Sequence, residues 1–398
     1  MNPRTIWRRS GRWLRRARAR RISAHSASAR RAGQAGQSMV LVALLLIAFI
    51  ALLAVTLDGG FAYLQRRNAQ TAADAGSLAG ARELCLTGDV ALARAAAFDY
   101  ALVHNRGLEA DVAISGGEVR VTARIPFATF FGSVLGRPSI IASAEAAANC
   151  FAPRFGEGVL PVAWNCPPAR TYIVDGKTTC DMDTFDEVGT PQLSDLYIIM
   201  NSRKVGDPDV DFCISDGGTI DCDVDGDGED ELLVGGNRSW LDLSGGGGGS
   251  SELVDWIRNG YPGGINIHTW YAGQQGVANN VFIEVGKRLN QRVLLPVFNA
   301  LSNGLPPDPY DDPSDNTVVS SGTWTDYFHV ISFSIFVPTC VHATGGDTGC
   351  DMYNHFRGAG VLGPNDKTIE GYFVKGSLIG LGGEGDLVAG AFTVYLTR

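Results

Sequence analysis

The sequence predicts an α+β protein in which an N-terminal transmembrane helix continues into a small α/β unit, followed by a β-rich, disulfide-stapled outer domain. Three observations lead to this fold class. An uncharged apolar run stands near the N-terminus, an Ala-rich helical pattern follows it, and β-prone runs separated by stretches rich in Gly, Pro and Asp recur through residues 151–398. We divide the chain into a basic cytoplasmic arm (1–37), the transmembrane helix (38–57), the α/β unit (58–150) and the extracytoplasmic outer domain (151–398).

The charge is distributed unevenly along the chain. Residues 1–31 contain 11 Arg and no acidic residue, and the first acidic residue is Asp58. The other 367 residues carry 22 basic and 42 acidic groups, which gives the bulk of the protein a net charge of −20. Such an acidic surface repels phosphate backbones, so we expect no nucleic-acid partner.

The run Ser38–Leu57, SMVLVALLLIAFIALLAVTL, predicts a helix that crosses a lipid bilayer. Its 20 residues at about 1.5 Å each span the roughly 30 Å hydrocarbon core. The Arg-rich arm on one side and Asp58 on the other place the N-terminus inside and the bulk outside, by the positive-inside rule. The alternative is a cleaved signal peptide, whose apolar region usually has only about 7–15 residues.

The α/β unit is expected to begin as a continuation of the anchor helix. The apolar residues of the next segment recur at near-helical spacing: Leu64, Ala72, Ala75, Leu78 and Ala79. The elements predicted after it are a helix over 88–104 with Thr87 as its cap, a hairpin of Ala110–Ile114 and Glu118–Ile125, a short helix over Phe127–Leu135 and a strand over Pro138–Ala148.

The outer domain is predicted to be mainly β. Its β-prone runs are Thr171–Val174, Leu196–Met200, Val281–Val285, Val293–Phe298, Phe328–Val337, Gly371–Ile379 and Val388–Leu396. Helical patterns are confined to Glu252–Asn259, which ends at Gly260, and to 276–290, which overlaps one of the β-prone runs.

Eight cysteines fit an oxidising compartment outside the membrane. Spacing alone does not determine how they pair. Short separations favour three local disulfides, namely Cys166 with Cys180, Cys213 with Cys222, and Cys340 with Cys350. Cys85 and Cys150 remain, and they bracket most of the α/β unit.

One stretch resembles a known family. The residues that carry the resemblance are Gly36-Gln37, Asp58 with Gly59-Gly60, and the segment Asn68-Ala-Gln-Thr-Ala-Ala-Asp74-Ala-Gly-Ser-Leu78-Ala-Gly-Ala81. Together they resemble the N-terminal segment of the TadE/TadG-like proteins of Tad (Flp) pilus assembly. The resemblance implies a pilin-like α/β unit anchored in the bacterial cytoplasmic (inner) membrane, with pilus subunits or secretion-machinery membrane proteins as partners.

The same resemblance indicates where partners bind and which two motifs of the family are absent from this sequence. We expect the membrane-proximal helix to make the contacts, through Asn68, Gln70, Asp74 and Leu78; simple helix packing is the alternative. Leu41 stands where prepilin-like members carry the Glu that follows the processing site. The Asp-x-Ser-x-Ser metal site of larger members has no counterpart in the sequence.

An acidic segment of the outer domain predicts a structural calcium site. Calcium prefers six to eight hard oxygen ligands, arranged around a turn that Gly permits. The predicted ligands are Asp223, Asp225, Asp227, Glu231 and, through its carbonyl oxygen, Glu229. The run into Leu232 resembles the calcium loops of integrin-type FG-GAP repeats rather than an EF-hand. The alternative is a solvated acidic turn, because Asp and Gly also dominate turns.

Other chemistry is poorly supported by the sequence. Cys340, His342, Cys350 and His355 have ligand types suited to zinc, but a disulfide with two surface histidines is the simpler interpretation. The sequence contains no Gly-x-Ser-x-Gly, His-Glu-x-x-His or P-loop motif. We therefore predict a protein that is not an enzyme.

The sequence leaves two functions open. The first is a single-pass envelope protein that acts in assembly or anchoring of a Tad/Flp-type pilus through protein–protein contacts. The second is a membrane-tethered, calcium-dependent binding or adhesion module, which a concave aromatic patch near Trp240 or Trp270 would favour. A tethered hydrolase is a third and weaker alternative.

Overall fold

The computed structural model describes residues 35–105, 107–165, 171–174, 177–180, 184–202, 214–215, 218–219, 240–245, 249–274, 278–303, 326–343, 349–360, 362–378, 381–383 and 390–397. The chain divides into two compact units. The first comprises the described part of Met1–Leu64 together with Phe127–Ile140, and the second comprises Gln65–Pro126 and Ile141–Arg398.

A single helix, α1 (Ala35–Thr87), contains both the apolar run and the Ala-rich segment after it. Within the described residues, this helix alone is long and apolar enough to cross a membrane. Its most apolar window is entirely unburied by the rest of the protein. The predicted unbroken continuation of the anchor is therefore confirmed.

The remaining elements follow in chain order. The helices are α2 (Val90–Phe98), which runs into a π-helical stretch at Asp99–His104, and then α3 (Ser250–Asn259), α4 (Asn279–Val285) and α5 (Asp351–Gly358). The strands of the first half are β1 (Glu109–Ser115), β2 (Glu118–Ala128), β3 (Ser139–Phe151), β4 (Phe155–Gly156), β5 (Trp164–Asn165), β6 (Thr171–Val174), β7 (Lys177–Cys180) and β8 (Tyr197–Asn201). The later strands are β9 (Ile214–Ser215), β10 (Gly218–Thr219), β11 (Leu241–Asp242), β12 (Ile265–Asn266), β13 (Thr269–Gly273), β14 (Val293–Asn303), β15 (Asp326–His342), β16 (Thr368–Val374), β17 (Leu381–Gly382) and β18 (Thr393–Leu396).

A four-stranded sheet has the strand order β1-β2-β3-β18. The predicted hairpin of β1 and β2 is present, and its turn places Gly116 and Gly117 at positive φ values of 57° and 85°, where a side chain would be strained. Strand β18 pairs antiparallel with β3, so the C-terminal region completes a sheet that the N-terminal region begins. We call this sheet, with α2 and the part of α1 from Gln65, the N-terminal layer.

A seven-stranded sheet forms the centre of the outer domain. Its path is β11-β13-β15-β14-β5, and β8 and β16 join it through β15. The long strand β15 pairs with β14 along one edge, and with β13 and then β16 along the other. Smaller sheets are β12-β4-β17, β6-β7 and β9-β10.

The core of the outer domain is rich in aromatic side chains. Phe333 and Phe336 of β15 are fully buried, and the Phe336 ring lies 5.1 Å from that of Phe373 on β16. Trp240 is also fully buried, with its ring 5.5 Å from Phe282 of α4 in an edge-to-face arrangement. Each such residue removes a large apolar area from water, so these rings dominate the stability of the outer domain.

Two predicted elements have a different structure. The helix predicted over Phe127–Leu135 is wrong, because β2 keeps its alternating burial through Ala128 and only a 3₁₀ turn follows, at Gly132–Leu135. The β-prone run Val281–Val285 forms helix α4 instead, which lies within the helical pattern predicted over 276–290. It buries Val281, Phe282 and Val285, a spacing that suits a helix packed on one face.

Other boundaries differ in smaller ways. The helix predicted over 88–104 begins at Val90, because Asp89 rather than Thr87 caps it, and its last part is π-helical. Helix α5 was not predicted, although its buried Met352, Tyr353 and Phe356 follow a helical spacing. Helix α3 ends at Gly260, as predicted.

Candidate functional site at the membrane-proximal helix

The segment of α1 that the sequence singles out buries one face within the N-terminal layer. Its buried residues are all small: Ala69, Ala72, Ala73, Gly76, Ser77, Gly80 and Ala81. They recur every three or four residues and so form one stripe along the helix. This stripe faces α2 and the sheet, where Ala69 packs with Ile125 and Ala81 packs with Val119.

Two glycines allow the close approach of α1 to α2. A Cβ at Gly76 would lie 2.9 Å from the carbonyl oxygen of Ala97, and one at Gly80 would lie 3.0 Å from the Cβ of Ala97. The facing side of α2 is also small, with buried Ala93 and Ala97. The spacing of Gly76 and Gly80, four residues apart, is the signal in the sequence for this close packing, and it was not among the predicted features.

Some of the four predicted interaction residues pack within the N-terminal layer, and others are exposed. Leu78 is half-buried and packs against the core of the N-terminal layer. The Gln70 amide donates to Asp74 Oδ1 at 2.6 Å and lies 3.5 Å from the Glu145 carbonyl oxygen on β3. Asn68 is exposed, and its amide lies 3.5 Å from the side-chain oxygen of Gln65.

An exposed strip remains on the other side of this helix. Arg67, Asn68 and Thr71 are exposed and lie next to one another on the helix surface. The Thr71 hydroxyl donates to the Arg67 carbonyl oxygen of its own helix. Polar side chains with no role in internal packing are available to another protein, so we take this strip as the candidate contact surface.

Asp58 organises the other compact unit. Its carboxylate accepts three backbone hydrogen bonds, from the amides of Phe130 (2.8 Å), Phe131 (3.0 Å) and Gly132 (2.8 Å). The Phe61 ring, one helical turn further along α1, lies 5.3 Å from Phe127 in an edge-to-face contact. Asp58 therefore has a structural task beyond marking the end of the apolar run.

Two disulfides lie within the described residues. Cys85 of α1 is bonded to Cys150 of β3, and Cys340 of β15 is bonded to Cys350 before α5. The first joins helix to sheet in the N-terminal layer, and the second closes a short loop of the outer domain, as predicted. Cys166, Cys213 and Cys222 lie outside the described residues, as does the side chain of Cys180.

A buried carboxyl group lies beside the second disulfide. Glu370 of β16 approaches the first turn of α5, and its Oε2 accepts from the Tyr353 amide at 3.0 Å. Burial raises the pKa of Glu370 to about 7, against the opposing effect of hydrogen bonds from Tyr353, Asp351 and Met352. Helix α5 has no side-chain cap at Cys350, so Glu370 acts as its acceptor.

The same place contains a group of potential metal ligands. The ligand atoms of Cys340, Cys350 and Glu370 lie within 4.8 Å of one another. Both sulfurs are bonded in the disulfide and offer no thiolate to a metal. His342 instead stacks on Tyr353 at 3.7 Å between ring centroids, with its Nδ1 at 2.6 Å from the Asp366 carbonyl oxygen.

An open cavity of about 720 Å³ lies in the outer domain. It is lined by Gly158, Arg258, Asn259, Gly260, Glu284, Lys287, Arg288 and Gln291. The buried carboxylate of Glu284 accepts from Arg258 Nε at 2.9 Å and from Lys287 Nζ at 2.7 Å, and these bonds lower the pKa of Glu284 to about 2. The lining carries a net positive charge, unlike the acidic bulk of the chain.

The aromatic residues considered for an adhesion surface have different positions. Trp240 is fully buried in the core, so it contributes to no surface patch. Trp270 of β13 is half-buried, and its ring lies 5.0 Å from that of His329. Burial, and to a lesser extent the charge of His268, lowers the pKa of His329 to about 4.

The predicted calcium ligands, from Asp223 to Glu231, lie outside the described residues.

Comparison with known proteins places the similarity in the membrane-proximal helix. Residues 36–83 match the family model described as putative Flp pilus-assembly TadE/G-like. The match begins at Gly36 and covers the apolar run and the stripe of small residues, so the resemblance predicted from these residues is confirmed. No curated protein and no solved structure matches the chain significantly.

Proposed function

We propose that this protein is a single-pass, membrane-anchored envelope protein that acts in assembly or anchoring of a Tad/Flp-type pilus through protein–protein contacts. The observation that carries the proposal is the coincidence of the TadE/G-like match with helix α1. The match covers the stretch that is able to span a membrane and the stretch that packs into the N-terminal layer. The similarity therefore concerns the stretch able to span a membrane together with the helical segment that continues from it.

We also propose a location and an orientation. The anchor lies in the bacterial cytoplasmic membrane, with the Arg-rich arm inside and all residues after Asp58 outside. The asymmetric charge of the sequence and the disulfides Cys85–Cys150 and Cys340–Cys350 support this, because disulfides persist in oxidising compartments.

The contact with the pilus machinery is proposed to use the exposed strip of α1. The opposite stripe is already buried against α2 and the sheet, and only a rearrangement of the N-terminal layer would free it. Arg67, Asn68 and Thr71 need no such rearrangement. Pilus subunits or secretion-machinery membrane proteins that approach at the membrane surface would meet these residues first.

Site-specific photo-crosslinking in the native cell tests this proposal. The photoreactive amino acid p-benzoylphenylalanine replaces Thr71 in the tagged full-length protein, and captured proteins are identified by mass spectrometry. The matched control carries it at Leu108, which is also exposed but precedes β1. We expect capture of pilus subunits or secretion components from Thr71 only. Equal capture from both positions, or none from Thr71 while the protein is abundant at the cell surface, would sink the proposal.

The role is proposed to be non-enzymatic, since the sequence contains none of the hydrolase or nucleotide-binding motifs sought. A membrane-tethered, calcium-dependent adhesion module is the second candidate. The acidic segment Asp223–Glu231 favours it, because a bound calcium ion would order the surrounding loop. Failure of the crosslinking experiment would shift weight to this candidate.

A further inference from the structure

A short loop exposes apolar side chains next to the end of the apolar run. We call residues 129–138 the interface loop; it connects β2 to β3. Thr129 closes it, since its amide donates to Pro138 O and its hydroxyl to Arg137 O. Phe130 is 66% exposed and Val134 is 83% exposed, although both are large and apolar. Neighbouring apolar residues exposed on a small, closed loop are typical of a binding surface.

The position of the loop along α1 is set by Asp58. This residue directly follows Leu57, the last residue of the apolar run. Three amides of the loop donate to its carboxylate, at 2.8, 3.0 and 2.8 Å. Hydrogen bonds to a carboxylate are stronger than those between neutral groups, so the loop is held firmly at the level where the apolar run ends.

Aromatic contacts add a second attachment at the same level. The Phe61 ring packs edge-to-face against Phe127 at 5.3 Å and against Phe130 at 6.0 Å. Tyr63 is 70% exposed nearby on the helix. Tyr, like Trp, is enriched where membrane proteins cross from hydrocarbon to headgroups, because its ring combines an apolar body with a polar group, so Tyr63 fits this level of the helix.

Bilayer dimensions then determine what covers the exposed side chains. The hydrocarbon core is about 30 Å thick and the whole bilayer about 40–45 Å, so each headgroup zone measures roughly 5–8 Å. The loop backbone lies within a hydrogen bond of Asp58, which is itself one residue beyond the core. Phe130 and Val134 are thus placed in the headgroup zone or at its acyl boundary.

We propose that the interface loop is a second membrane contact, in which Phe130 and Val134 insert into the headgroup–acyl boundary of the leaflet that α1 enters at Asp58. The lipid surface is favoured over a protein partner because the loop is continuous with the membrane-spanning helix. This contact would fix the rotation of α1 about its own axis, which a lone helix leaves free. The proposal goes beyond the pilus function and does not depend on it.

Lipid crosslinking by the reconstituted full-length protein tests the contact. The protein carries p-benzoylphenylalanine at Phe130 and is placed in vesicles of phosphatidylethanolamine and phosphatidylglycerol at low protein-to-lipid ratio. The matched control carries it at Val188, which is 76% exposed in the outer domain. After illumination, we expect a mass increase of one phospholipid at position 130 and none at position 188. Crosslinks from position 130 to a second chain, or to nothing, would overturn the proposal.

A further variant tests the role of Asp58. Asp58→Ala removes the acceptor for all three loop amides without touching Phe130 or Val134. In the protein with the photoreactive group at position 130, this change should lower the yield of phospholipid adduct several-fold. Intact Cys85–Cys150 and Cys340–Cys350 disulfides, checked by mass spectrometry, confirm that the variant is folded. An unchanged adduct yield in the folded variant would contradict the coupling through Asp58.

Discussion

The helices of the N-terminal layer are packed with alanine and glycine, whereas the seven-stranded sheet of the outer domain is packed with aromatic rings. In the layer, Ala69, Ala73 and Ala97 have no exposed surface, and Gly76 brings two helices together. In the outer domain, buried surface comes from large residues such as Phe333 and Trp240. The first region gains contacts from close backbone approach and the second from the size of its side chains.

The contrast indicates what each region tolerates. A helix contact made of alanine and glycine loses little when a side chain is shortened, but additional atoms there clash with backbone. An aromatic core loses much apolar burial when a ring is removed. The TadE/G-like match covers the apolar run and ends at residue 83, within the small-residue region, so it includes no part of the aromatic core of the outer domain.

The largest effect is expected from Phe333→Ala in the outer domain. Phe333 is fully buried in β15, so its loss leaves a cavity and should lower the free energy of unfolding by about 3–5 kcal/mol. The measurement is urea unfolding of the detergent-solubilised full-length protein. Val188→Ala, at a side chain that is 76% exposed in the outer domain, is the control and should change the value by less than about 0.5 kcal/mol. If both variants lost the same free energy of unfolding, burial of the aromatic ring would not be what stabilises the outer domain.

A pH dependence is expected from Glu370 of the outer domain. Its pKa is about 7 in the folded protein, against 4.5 ordinarily. Below both values the carboxyl group is protonated in either state. Between them the unfolded chain loses the proton first, so stability falls as pH rises from about 4.5 to 7, in total on the order of 3 kcal/mol.

The variant Glu370→Gln isolates this contribution, because the amide keeps an acceptor for the Tyr353 N–H but does not titrate. The difference in unfolding free energy between the variant and the native protein should grow from near zero at pH 4 to its maximum above pH 7. The experiment is a series of unfolding curves at fixed ionic strength. A difference that is constant with pH would show that Glu370 does not titrate as expected.

Calcium is expected to stabilise the outer domain and not the N-terminal layer. We propose that Asp223, Asp225, Asp227, Glu229 and Glu231 bind it. At calcium concentrations 100 times the dissociation constant, a single site contributes about 2.7 kcal/mol. A chelator should therefore lower the melting temperature, calcium should restore it, and magnesium should not.

The double variant Asp225→Asn with Asp227→Asn serves as control for this prediction. Its melting temperature should be low and insensitive to the chelator, because two charged ligands are gone. A native protein whose melting temperature is the same with chelator and with calcium would refute the calcium site, and the acidic segment would then be a solvated turn.

The smallest effect is expected from enlarging a small residue of the N-terminal layer. Gly76→Leu forces atoms against the Ala97 carbonyl oxygen and should cost about 1–3 kcal/mol. Gly60→Leu on the same helix is the matched control, since nothing lies within 4 Å of a Cβ there. The readout is chemical denaturation together with formation of the Cys85–Cys150 disulfide. If both variants behaved alike, close packing of α1 on α2 would not limit this region.

Local patterns were sufficient to predict the elements that neighbouring residues determine. The continuous helix α1, the hairpin of β1 and β2 and the strand Thr171–Val174 all follow from periodicity and turn residues. The Cys340–Cys350 disulfide follows from short spacing. These features depend on interactions over a few residues, which a single sequence records directly.

Features that depend on distant residues were not predictable in this way. Val281–Val285 carries both a β-prone composition and a helical pattern, and only its packing against the outer core decides in favour of the helix. Asp58 accepts hydrogen bonds from Phe130 and Gly132, which lie 72 and 74 positions further along the chain. Nothing in the local pattern of either segment indicates its partner.

The pairing of β18 with β3 has a consequence for biogenesis. The Thr393 hydroxyl lies 3.4 Å from the Phe151 carbonyl oxygen, 242 residues away. At a synthesis rate of about 5–20 residues per second, the growing chain carries an open β3 edge for roughly 10–50 s before the fourth strand of this sheet arrives. An unpaired edge accepts strands from other chains. A chain shortened to residue 151 would keep that edge open permanently, and it would then be a strand acceptor prone to self-association.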